Sequence, residues 1–230
     1  MATYVLVHGA WGGAHGFRLV RPLLAARGHE VFTPSLTGIG ERSHLASPQV
    51  NLSTHVQDVV NAIWYEDLQD VVLLGFSYGG MVVTGALEHI ADRVAHVVYL
   101  DAFVPTNGQS LYDLTGQQRG RVLVPGEEWL VQPPPRSYDE PEQAAFADPR
   151  RSPHPVGCFT EPVRLQHPLE QFPFTRLYIK ATAEPGPDAF VRAGQHARSS
   201  PAWDYREIAT NHLVPVNRPD ELAGILLELG

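Results

Sequence analysis

The sequence alternates short apolar segments with segments of helical periodicity, and this alternation limits the possible folds more than any other feature. Six strands are predicted: Tyr4–Val7, His29–Thr33, Val71–Leu74, Val94–Leu100, Arg176–Thr182 and Trp203–Ile208. The predicted helices are Phe17–Arg27, Ser53–Glu66, Gly80–Ile90, a segment within Gly186–Arg198, and Pro219–Glu228. Strands that are apolar throughout, alternating with helices, indicate a mainly parallel sheet covered by helices on both faces. The predicted fold class is therefore α/β.

The helix predicted at Ser53–Glu66 has its apolar residues at the spacing of one helix face. Either Ser53 or Thr54 is expected to cap its N-terminus. Thr54 and Gln57 have the spacing of a capping box.

The segment from residue 105 to residue 173 differs in composition from the rest of the chain. It contains twelve of the twenty prolines, three of them consecutive at 133–135. Proline lacks a backbone N–H, so no strand is expected there and any helix should be short. We therefore expect one structural domain, with core residues 1–104 and 174–230 and an insertion at 105–173.

Composition and charge narrow the classes of protein that the chain can represent. With 43% hydrophobic and 18% charged residues, it can form a sizeable core and is not a disordered chain. The net charge is −8 without a basic stretch, which argues against binding to nucleic acid or to an anionic membrane. Sixteen of the seventeen basic residues are arginine, and Lys180 is the only lysine.

Cysteine content and the N-terminal sequence bear on the cellular compartment. The single cysteine, Cys158, excludes an internal disulfide framework and fits a reducing environment. The N-terminus has no basic region of the kind that begins a signal peptide, and no apolar run reaches the ~20 residues of a membrane helix. A cytoplasmic location is expected.

Gly75-Phe76-Ser77-Tyr78-Gly79-Gly80 is the segment that most clearly indicates chemistry. An apolar strand ends just before it, and helical periodicity begins at its last glycine. A strand-to-helix turn as tight as this strains the serine backbone and directs the hydroxyl away from the sheet edge. Glycine suits positions 75 and 79 because side chains there would meet the neighbouring elements. Ser77 is the predicted nucleophile.

A serine nucleophile needs a base, and in this architecture the base is a histidine late in the chain. Four histidines lie well beyond Ser77 and outside its own helix and the next strand: His154, His167, His196 and His212. The first two lie in the proline-rich insertion, and the third lies in a predicted helix. The loop between the last strand and the last helix carries His212, which is the predicted base.

The acid of the triad has more than one candidate. Glu184 follows the strand that ends at Thr182, at the carboxyl edge of the sheet, whereas Asp188 lies farther along. Asp101 directly follows the strand Val94–Leu100 and reaches the same edge. Either an aspartate or a glutamate can orient the imidazole. We favour Glu184, with Asp101 as the alternative.

The oxyanion hole is expected to use two backbone N–H groups. One belongs to Tyr78, the residue after the nucleophile, and the other to Ala10, in the loop after the first strand. His8 is expected to hold that loop. The glycines of the loop do not match a dinucleotide or Walker pattern, and the His29-Glu30 sequence lacks the second histidine of a zinc motif. No cofactor and no metal are expected.

Four segments together resemble the α/β-hydrolase superfamily: His8–Trp11, Gly75–Met81, Val98–Pro105 and the late His212. Within it, the chain is similar to the group of salicylate-binding methylesterases and hydroxynitrile lyases, and above all to their bacterial esterase relatives. The resemblance spans nearly the whole chain and is weakest across the insertion. It implies a mainly parallel sheet with helices on both faces and a proline-rich cap inserted after the sixth core strand. It also implies Ser77 as nucleophile, His212 as base and an acid at the position of Glu184.

Two departures from the group bear on the reaction. Its plant members usually have aspartate where this chain has Glu184, which keeps Asp101 open as the acid. The lyases resemble one another in having a lysine after the catalytic histidine and a threonine after the histidine of the first loop. Leu213 and Gly9 occupy those positions here. Because cyanohydrin cleavage needs a cation near the departing cyanide, a lyase is disfavoured.

The insertion is expected to cover Ser77 and to help form an apolar substrate pocket. Five aromatic residues are candidates to line it: Trp11, Phe103, Tyr112, Trp129 and Phe146. An acidic chain without an evident cationic clamp favours uncharged esters, unless an arginine of the cap faces the pocket.

These observations predict a carboxylesterase-type serine hydrolase that cleaves small, largely uncharged esters through an acyl-enzyme. A lactone or C–C bond hydrolase on the same fold is an alternative. A non-catalytic receptor for a small ligand is another, although a receptor needs neither Ser77 nor His212. The expected partner is a small-molecule ester, and the sequence leaves the oligomeric state open, a homodimer included.

Overall fold

A six-stranded parallel sheet forms the centre of the computed structural model, which describes residues 1–116 and 126–230. Its strands are β1 (Thr3–Val7), β2 (Glu30–Phe32), β3 (Val71–Phe76), β4 (Val94–Leu100), β7 (Thr175–Ala181) and β8 (Asp204–Ile208). They lie in the order β2-β1-β3-β4-β7-β8, and every pair is parallel. The sequence predicted each of them to within two residues at either end.

The α-helices outside the proline-rich segment are α1 (Arg21–Ala25), α2 (Leu52–Tyr65), α3 (Gly79–Ile90), α7 (Asp188–Ser199), α8 (Val214–Asn217) and α9 (Pro219–Leu227). The first four lie between successive strands of the sheet, and α8 and α9 follow β8. The helix predicted at Phe17–Arg27 is shorter than expected. A 3-10 turn at Ala14–Phe17 precedes it, and Pro22 lies in the first turn of α1, where a proline is accommodated.

Both faces of the sheet are covered, because successive strand residues point to opposite sides. On one face, Val5 and Val7 share a buried cluster with residues of α2, α3 and α7. On the other face, Tyr4 and Leu6 share a second cluster with residues of α1 and α9. The expected α/β arrangement of a parallel sheet with helices on both faces is confirmed.

The N-terminus of α2 differs in detail from the prediction. Asn51 is the N-cap, and its side chain accepts a hydrogen bond from the backbone of Thr54 at 3.0 Å. The Thr54 hydroxyl accepts one in return from the backbone N–H of Asn51. The N-cap therefore lies two or three residues earlier than expected and the capping box begins three residues earlier, because asparagine caps as well as serine does.

The proline-rich segment leaves the sheet after β4. Its described elements are α4 (Leu111–Thr115), β5 (Leu130–Val131), α5 (Pro141–Ala147), β6 (His154–Pro155) and α6 (Gly157–Thr160). The helices are short, as expected, and residues 117–125 of the predicted insertion lie outside the described residues.

Two expectations about this segment are wrong. A two-residue antiparallel pair, β5 and β6, does form within it. Pro155 takes part in that pair because a ladder this short needs no N–H from it, and the N–H of Val156 reaches the Trp129 carbonyl at 2.7 Å instead. The segment also follows the fourth strand of the chain, β4, and not a sixth one. Among residues 1–116 and 126–230, no helix has both the length and the apolar character needed to cross a bilayer.

Candidate active site

Ser77 lies in a tight turn between β3 and α3, with its backbone in the left-handed region at φ 56°. Its N–H donates to the Leu100 carbonyl at 3.2 Å, and its own carbonyl accepts from the N–H of Phe103 at 3.2 Å. A side chain at Gly79 would place its Cβ 2.6 Å from the Val7 carbonyl oxygen. Close backbone packing therefore fixes a strained serine at the carboxyl edge of the sheet.

His212 connects this serine to a carboxylate. Its Nε2 lies 2.9 Å from the Ser77 Oγ, and its Nδ1 lies 2.7 Å from the Asp101 Oδ2. The imidazole ring is stacked between Phe76 and Phe190, with ring centroids 4.8 and 5.4 Å away. These contacts hold the ring in one orientation, with each nitrogen facing its partner.

The carboxylate bonded to His212 belongs to Asp101, the alternative acid, and the preferred assignment of Glu184 is wrong for this geometry. Asp101 is buried directly after β4, whereas Glu184 is exposed at the rim of the cavity. The other oxygen of Asp101 accepts from the Lys180 ammonium at 2.7 Å and from the Ala181 N–H at 3.3 Å. The strand order places β4 beside β7, so a residue that ends β4 reaches the histidine loop directly.

The two residues predicted to form the oxyanion hole lie beside the serine. Ala10 and Tyr78 are both buried and line the same cavity as Ser77 and His212. His8 holds the first loop, as expected: its Nε2 accepts from the Leu36 N–H at 3.1 Å, and its Nδ1 lies 3.0 Å from the Gly9 carbonyl. Burial lowers the pKa of His8 to about 4, so the ring is neutral in this contact.

The cavity at the triad has a volume of about 370 Å³, within the range of small-molecule sites. Of the five predicted lining residues, Trp11 and Phe103 line it. Its other apolar lining includes Leu111, Pro135, Phe190 and Leu213. These residues carried no signal in the sequence beyond their hydrophobicity.

The other three aromatic candidates lie elsewhere. Tyr112 is buried against Phe159, with ring centroids 6.0 Å apart, and Trp129 belongs to the turn before β5. The Phe146 ring is covered by the guanidinium groups of Arg18 and Arg150, each 4.1 Å from its centroid. None of the three lines the cavity at the triad, so the structure does not bring them to the predicted pocket.

One charged residue of the proline-rich segment does face the cavity. Arg136 follows the three consecutive prolines and lines the cavity, and its guanidinium donates to the Ala10 carbonyl at 3.2 Å. Burial and the neighbouring Arg151 lower its pKa to about 10, and it remains a cation. Glu184 brings a carboxylate to the same cavity.

A larger cavity, of about 750 Å³, lies away from the triad, between the start of the proline-rich segment and α7. Val104, Leu169 and Trp203 contribute to its wall, and none of Ser77, His212 and Asp101 does. Size alone therefore does not identify the reactive site.

Within the described parts of the chain, one group of side chains has the composition of a metal site. The ligand atoms of His55, His154 and Cys158 lie within 4.8 Å of one another, and all three residues are buried. Both ring nitrogens of His55 are already engaged, with the Tyr78 hydroxyl at 2.9 Å and the Thr37 carbonyl at 2.7 Å. A metal would have to replace one of these hydrogen bonds, so the group fits a packed polar cluster better than a metal centre.

The sequence matches the alpha/beta hydrolase family over residues 4–225. The chain belongs to this family. It is 35% identical to the "Carbendazim hydrolyzing esterase" of Nocardioides sp. (strain SG-4G) over 248 residues, which cover all of both proteins. It is 26% identical to "Salicylic acid-binding protein 2" of Nicotiana tabacum, over 96% of this chain and 90% of that protein.

A solved structure of another family member agrees over the full length. It is an extracellular alpha/beta-hydrolase from a Paenibacillus species, described as sharing structural and functional homology with the tobacco protein. The two have a TM-score of 0.81 and 25% sequence identity, over 100% of this chain and 99% of the other. With the Ser77–His212–Asp101 geometry, these relatives show that this alpha/beta hydrolase is of the carboxylesterase type.

Proposed function

We propose that the chain hydrolyses small, largely uncharged carboxylic esters through an acyl-enzyme on Ser77. The observation that carries this proposal is the continuous hydrogen-bond chain from the Ser77 hydroxyl through His212 to Asp101. A serine, a base within hydrogen-bond reach and an orienting carboxylate form the arrangement that activates a serine nucleophile.

The first half of the reaction forms the acyl-enzyme. His212 Nε2 takes the proton of the Ser77 hydroxyl as Oγ bonds to the carbonyl carbon of the ester. The resulting oxyanion is stabilised by the backbone N–H groups of Ala10 and Tyr78, each worth about 100- to 1,000-fold in rate. The bond to the alcohol oxygen then breaks, and His212 passes its proton to that oxygen.

Water completes the reaction along the same path. It bonds to the acyl carbon while His212 Nε2 takes its proton, and the bond to the Ser77 Oγ breaks as that proton returns to the serine. Asp101 Oδ2 keeps Nδ1 of the imidazole protonated and stabilises the imidazolium in both halves. The carboxylic acid is released and the enzyme is regenerated.

The proline-rich segment is proposed to act as the cap over this site and to shape substrate choice. Leu111, Thr115 and residues 134–137 all line the cavity opposite the core loops. The Arg136 guanidinium is already bonded to the Ala10 carbonyl. The Glu184 carboxylate lines the same cavity and would repel a negatively charged substrate. Both features support an uncharged ester.

Hydrolysis assays with the purified chain test the proposal. Short and medium p-nitrophenyl esters, simple methyl esters and carbendazim are the substrates, the last because the relative named above is a carbendazim-hydrolysing esterase. We expect Ser77→Ala to lower kcat by about 10⁴-fold or more. Equal turnover by the wild type and Ser77→Ala, or none by the wild type on any of these esters, would contradict the proposal.

A matched pair of variants tests the acid. Asp101→Asn should lower kcat by about 10⁴-fold, because an amide favours the wrong imidazole tautomer, as seen with aspartate-to-asparagine changes in other triads. Glu184→Gln removes the same charge at the rim and should change kcat by less than about threefold, on the usual scale for exposed substitutions. The reverse ranking would restore Glu184 as the acid.

A further inference from the structure

The loop after β1, which carries Ala10, is held in place by residues of the proline-rich segment. The peptide group between Ala10 and Trp11 is bonded on both sides. Its N–H donates to Nδ1 of His154 at 3.3 Å, and its carbonyl accepts from the Arg136 guanidinium at 3.2 Å. Neither partner belongs to the sheet or to its flanking helices.

Trp11 makes two further hydrogen bonds to the same segment. Its carbonyl accepts from the Ser152 N–H at 3.1 Å, and its indole N–H donates to the Val131 carbonyl at 2.9 Å. Every hydrogen-bonding group of Trp11, backbone and side chain, is thus bonded to the stretch between Val131 and His154.

Trp11 has a strained backbone, with φ at 62°. For a bulky residue this left-handed conformation is less favourable than the usual regions, because the Cβ comes close to the following carbonyl oxygen. Such strain persists only where the surroundings enforce it, and it is concentrated at functional positions. The four hydrogen bonds hold Trp11 in this conformation. Trp11 directly follows Ala10, the predicted oxyanion donor.

His154 is the least expected of the residues that bond to Ala10 and Trp11. It is completely buried, its ring is stacked on Phe159 at 4.4 Å, and it meets the edge of Tyr78 at 4.9 Å. Burial holds its pKa well below the usual value, so the imidazole is neutral. Since Nδ1 accepts from Trp11, the ring proton lies on Nε2, which has no hydrogen-bond partner among residues 1–116 and 126–230.

A buried donor without a partner lowers the stability of the fold, because the group has lost its hydrogen bonds to water. A phenylalanine would fill the same aromatic site without that cost. The feature that His154 has and phenylalanine lacks is the acceptor at Nδ1, which is the atom that holds the Trp11 N–H.

We propose that His154 is a positioning residue for ester hydrolysis: its Nδ1 fixes the peptide after Ala10 and thereby aims the Ala10 N–H at the oxyanion. This inference rests on the proposed function, since that function gives the Ala10 N–H its role. His154 also packs on Tyr78, so one buried side chain contacts both residues of the proposed oxyanion hole.

Two substitutions at this position separate hydrogen bonding from packing. His154→Asn keeps an acceptor near the place of Nδ1 but loses the ring that stacks on Phe159. His154→Phe keeps the ring and loses the acceptor. We expect His154→Phe to lower kcat about 10- to 100-fold with KM within about threefold, because the loss should stay below that of deleting an oxyanion donor. We expect His154→Asn to retain several-fold more of the wild-type kcat.

Stability supplies a readout that should rank the variants in the opposite order. His154→Phe removes the unpartnered donor and keeps the aromatic packing, so in urea it should be at least as stable as His154→Asn. If packing alone mattered, the more stable variant would also be the more active one. That outcome would overturn the inference.

Hydrogen exchange tests, without relying on catalysis, whether His154 holds the peptide between Ala10 and Trp11; we call this contact the clamp. The backbone amide of Trp11 should exchange faster in His154→Phe than in the wild type and should keep most of its protection in His154→Asn. If the wild type hydrolyses no ester while the exchange pattern holds, the proposed function fails and the clamp stands. If the two variants match each other in both exchange and kcat, the inference fails. Should His154→Phe not fold, Arg136→Met releases the other side of the same peptide and should increase exchange at Trp11.

Discussion

The side chain of Lys180, the only lysine in the chain, lies almost entirely inside the protein beside the triad acid. Its ammonium group donates to Asp101 Oδ1 at 2.7 Å and to the Ala181 carbonyl at 2.6 Å. Its aliphatic part lies beside Gly194 on α7, where an added Cβ would be in ordinary van der Waals contact with the lysine Cδ, at 3.5 Å. With Oδ1 held in this way, the second oxygen of Asp101 is free to face His212.

Removing the Lys180 charge should destabilise the fold strongly. Lys180→Met leaves the Asp101 carboxylate buried without its cation, and breaking a buried pair from one side costs about 3–5 kcal/mol of unfolding free energy. In the double variant Lys180→Met/Asp101→Asn neither charge remains, so stability should recover relative to Lys180→Met alone. Urea unfolding at pH 7 measures Lys180→Met, Asp101→Asn and the double variant. If the double variant lost as much stability as the two single variants added together, the two charges would not interact.

The acid illustrates where sequence reasoning stops at the residue scale. Asp101 and Glu184 both follow strands that end at the same edge of the sheet, so the pattern alone admits either. The choice depends on contacts between distant segments: the Ala181 N–H and the Lys180 ammonium bind Asp101 across 79 or 80 residues of sequence. Ser77 and His212 were predictable because each lies in a local context that few other residues share.

At the scale of elements, the turn from β3 to α3 depends on the absence of side chains. A Cβ on Gly75 would lie 2.7 Å from the carbonyl oxygen of Gly79 and 2.7 Å from a methyl group of Val83. One of these neighbours is backbone and cannot rotate away. The whole of α3 would have to shift, and Ser77 would shift with it.

Gly75→Ala should therefore lower both stability and activity. Forcing a methyl group into a packed site costs about 1–3 kcal/mol of unfolding free energy, and movement of the turn should reduce kcat as well. Gly224→Ala is the matched control, since that glycine is exposed on α9 with no atom within 4 Å of the added Cβ. Alanine there should stabilise the helix by about 0.5–1 kcal/mol. Urea unfolding of both variants checks the contrast, and a Gly75→Ala protein as stable as the wild type would contradict it.

Elements with a strong periodic signal were predicted well, and the proline-rich segment was not. Strand β4 has the predicted bounds, because all of its residues except His96 are hydrophobic and its last four are buried in sequence. In the segment after it, backbone hydrogen bonds go to partners far along the chain, as from Ser152 to Trp11. No local pattern encodes such pairs, so the positions of Tyr112, Trp129 and Phe146 could not be derived from the sequence.

At the scale of the whole molecule, three buried histidines lie in the core loops, in α2 and in the proline-rich segment, and two of them, His55 and His154, contact each other between the core and that segment. They are His8 after β1, His55 on α2 and His154 on β6. His55 bonds to the Tyr78 hydroxyl, and its ring lies 5.5 Å from that of His154. Burial lowers the pKa of His8 to about 4 and that of His55 to about 3, and it holds the pKa of His154 well below its usual value.

These shifts make stability depend on pH. In the unfolded chain each histidine titrates near its ordinary pKa of about 6.5, whereas in the folded protein it stays neutral to much lower pH. Below about pH 6.5 the unfolded state therefore binds more protons, and the free energy of unfolding falls as the pH falls. Each histidine contributes up to about 1.4 kcal/mol per pH unit until the pH reaches its folded pKa.

We accordingly expect a steep loss of stability between about pH 6.5 and pH 4, with a slope that grows to about 4 kcal/mol per pH unit from the three residues together, once they are fully protonated in the unfolded chain. Urea unfolding at half-unit intervals measures that slope. His154→Phe should reduce it by about one proton's worth, about 1.4 kcal/mol per pH unit. His89→Gln, a change at an exposed position on α3, should leave it unchanged. A slope that is the same in all three proteins would show that His154 does not contribute, because a residue that stays neutral only when folded must add to the proton uptake on unfolding.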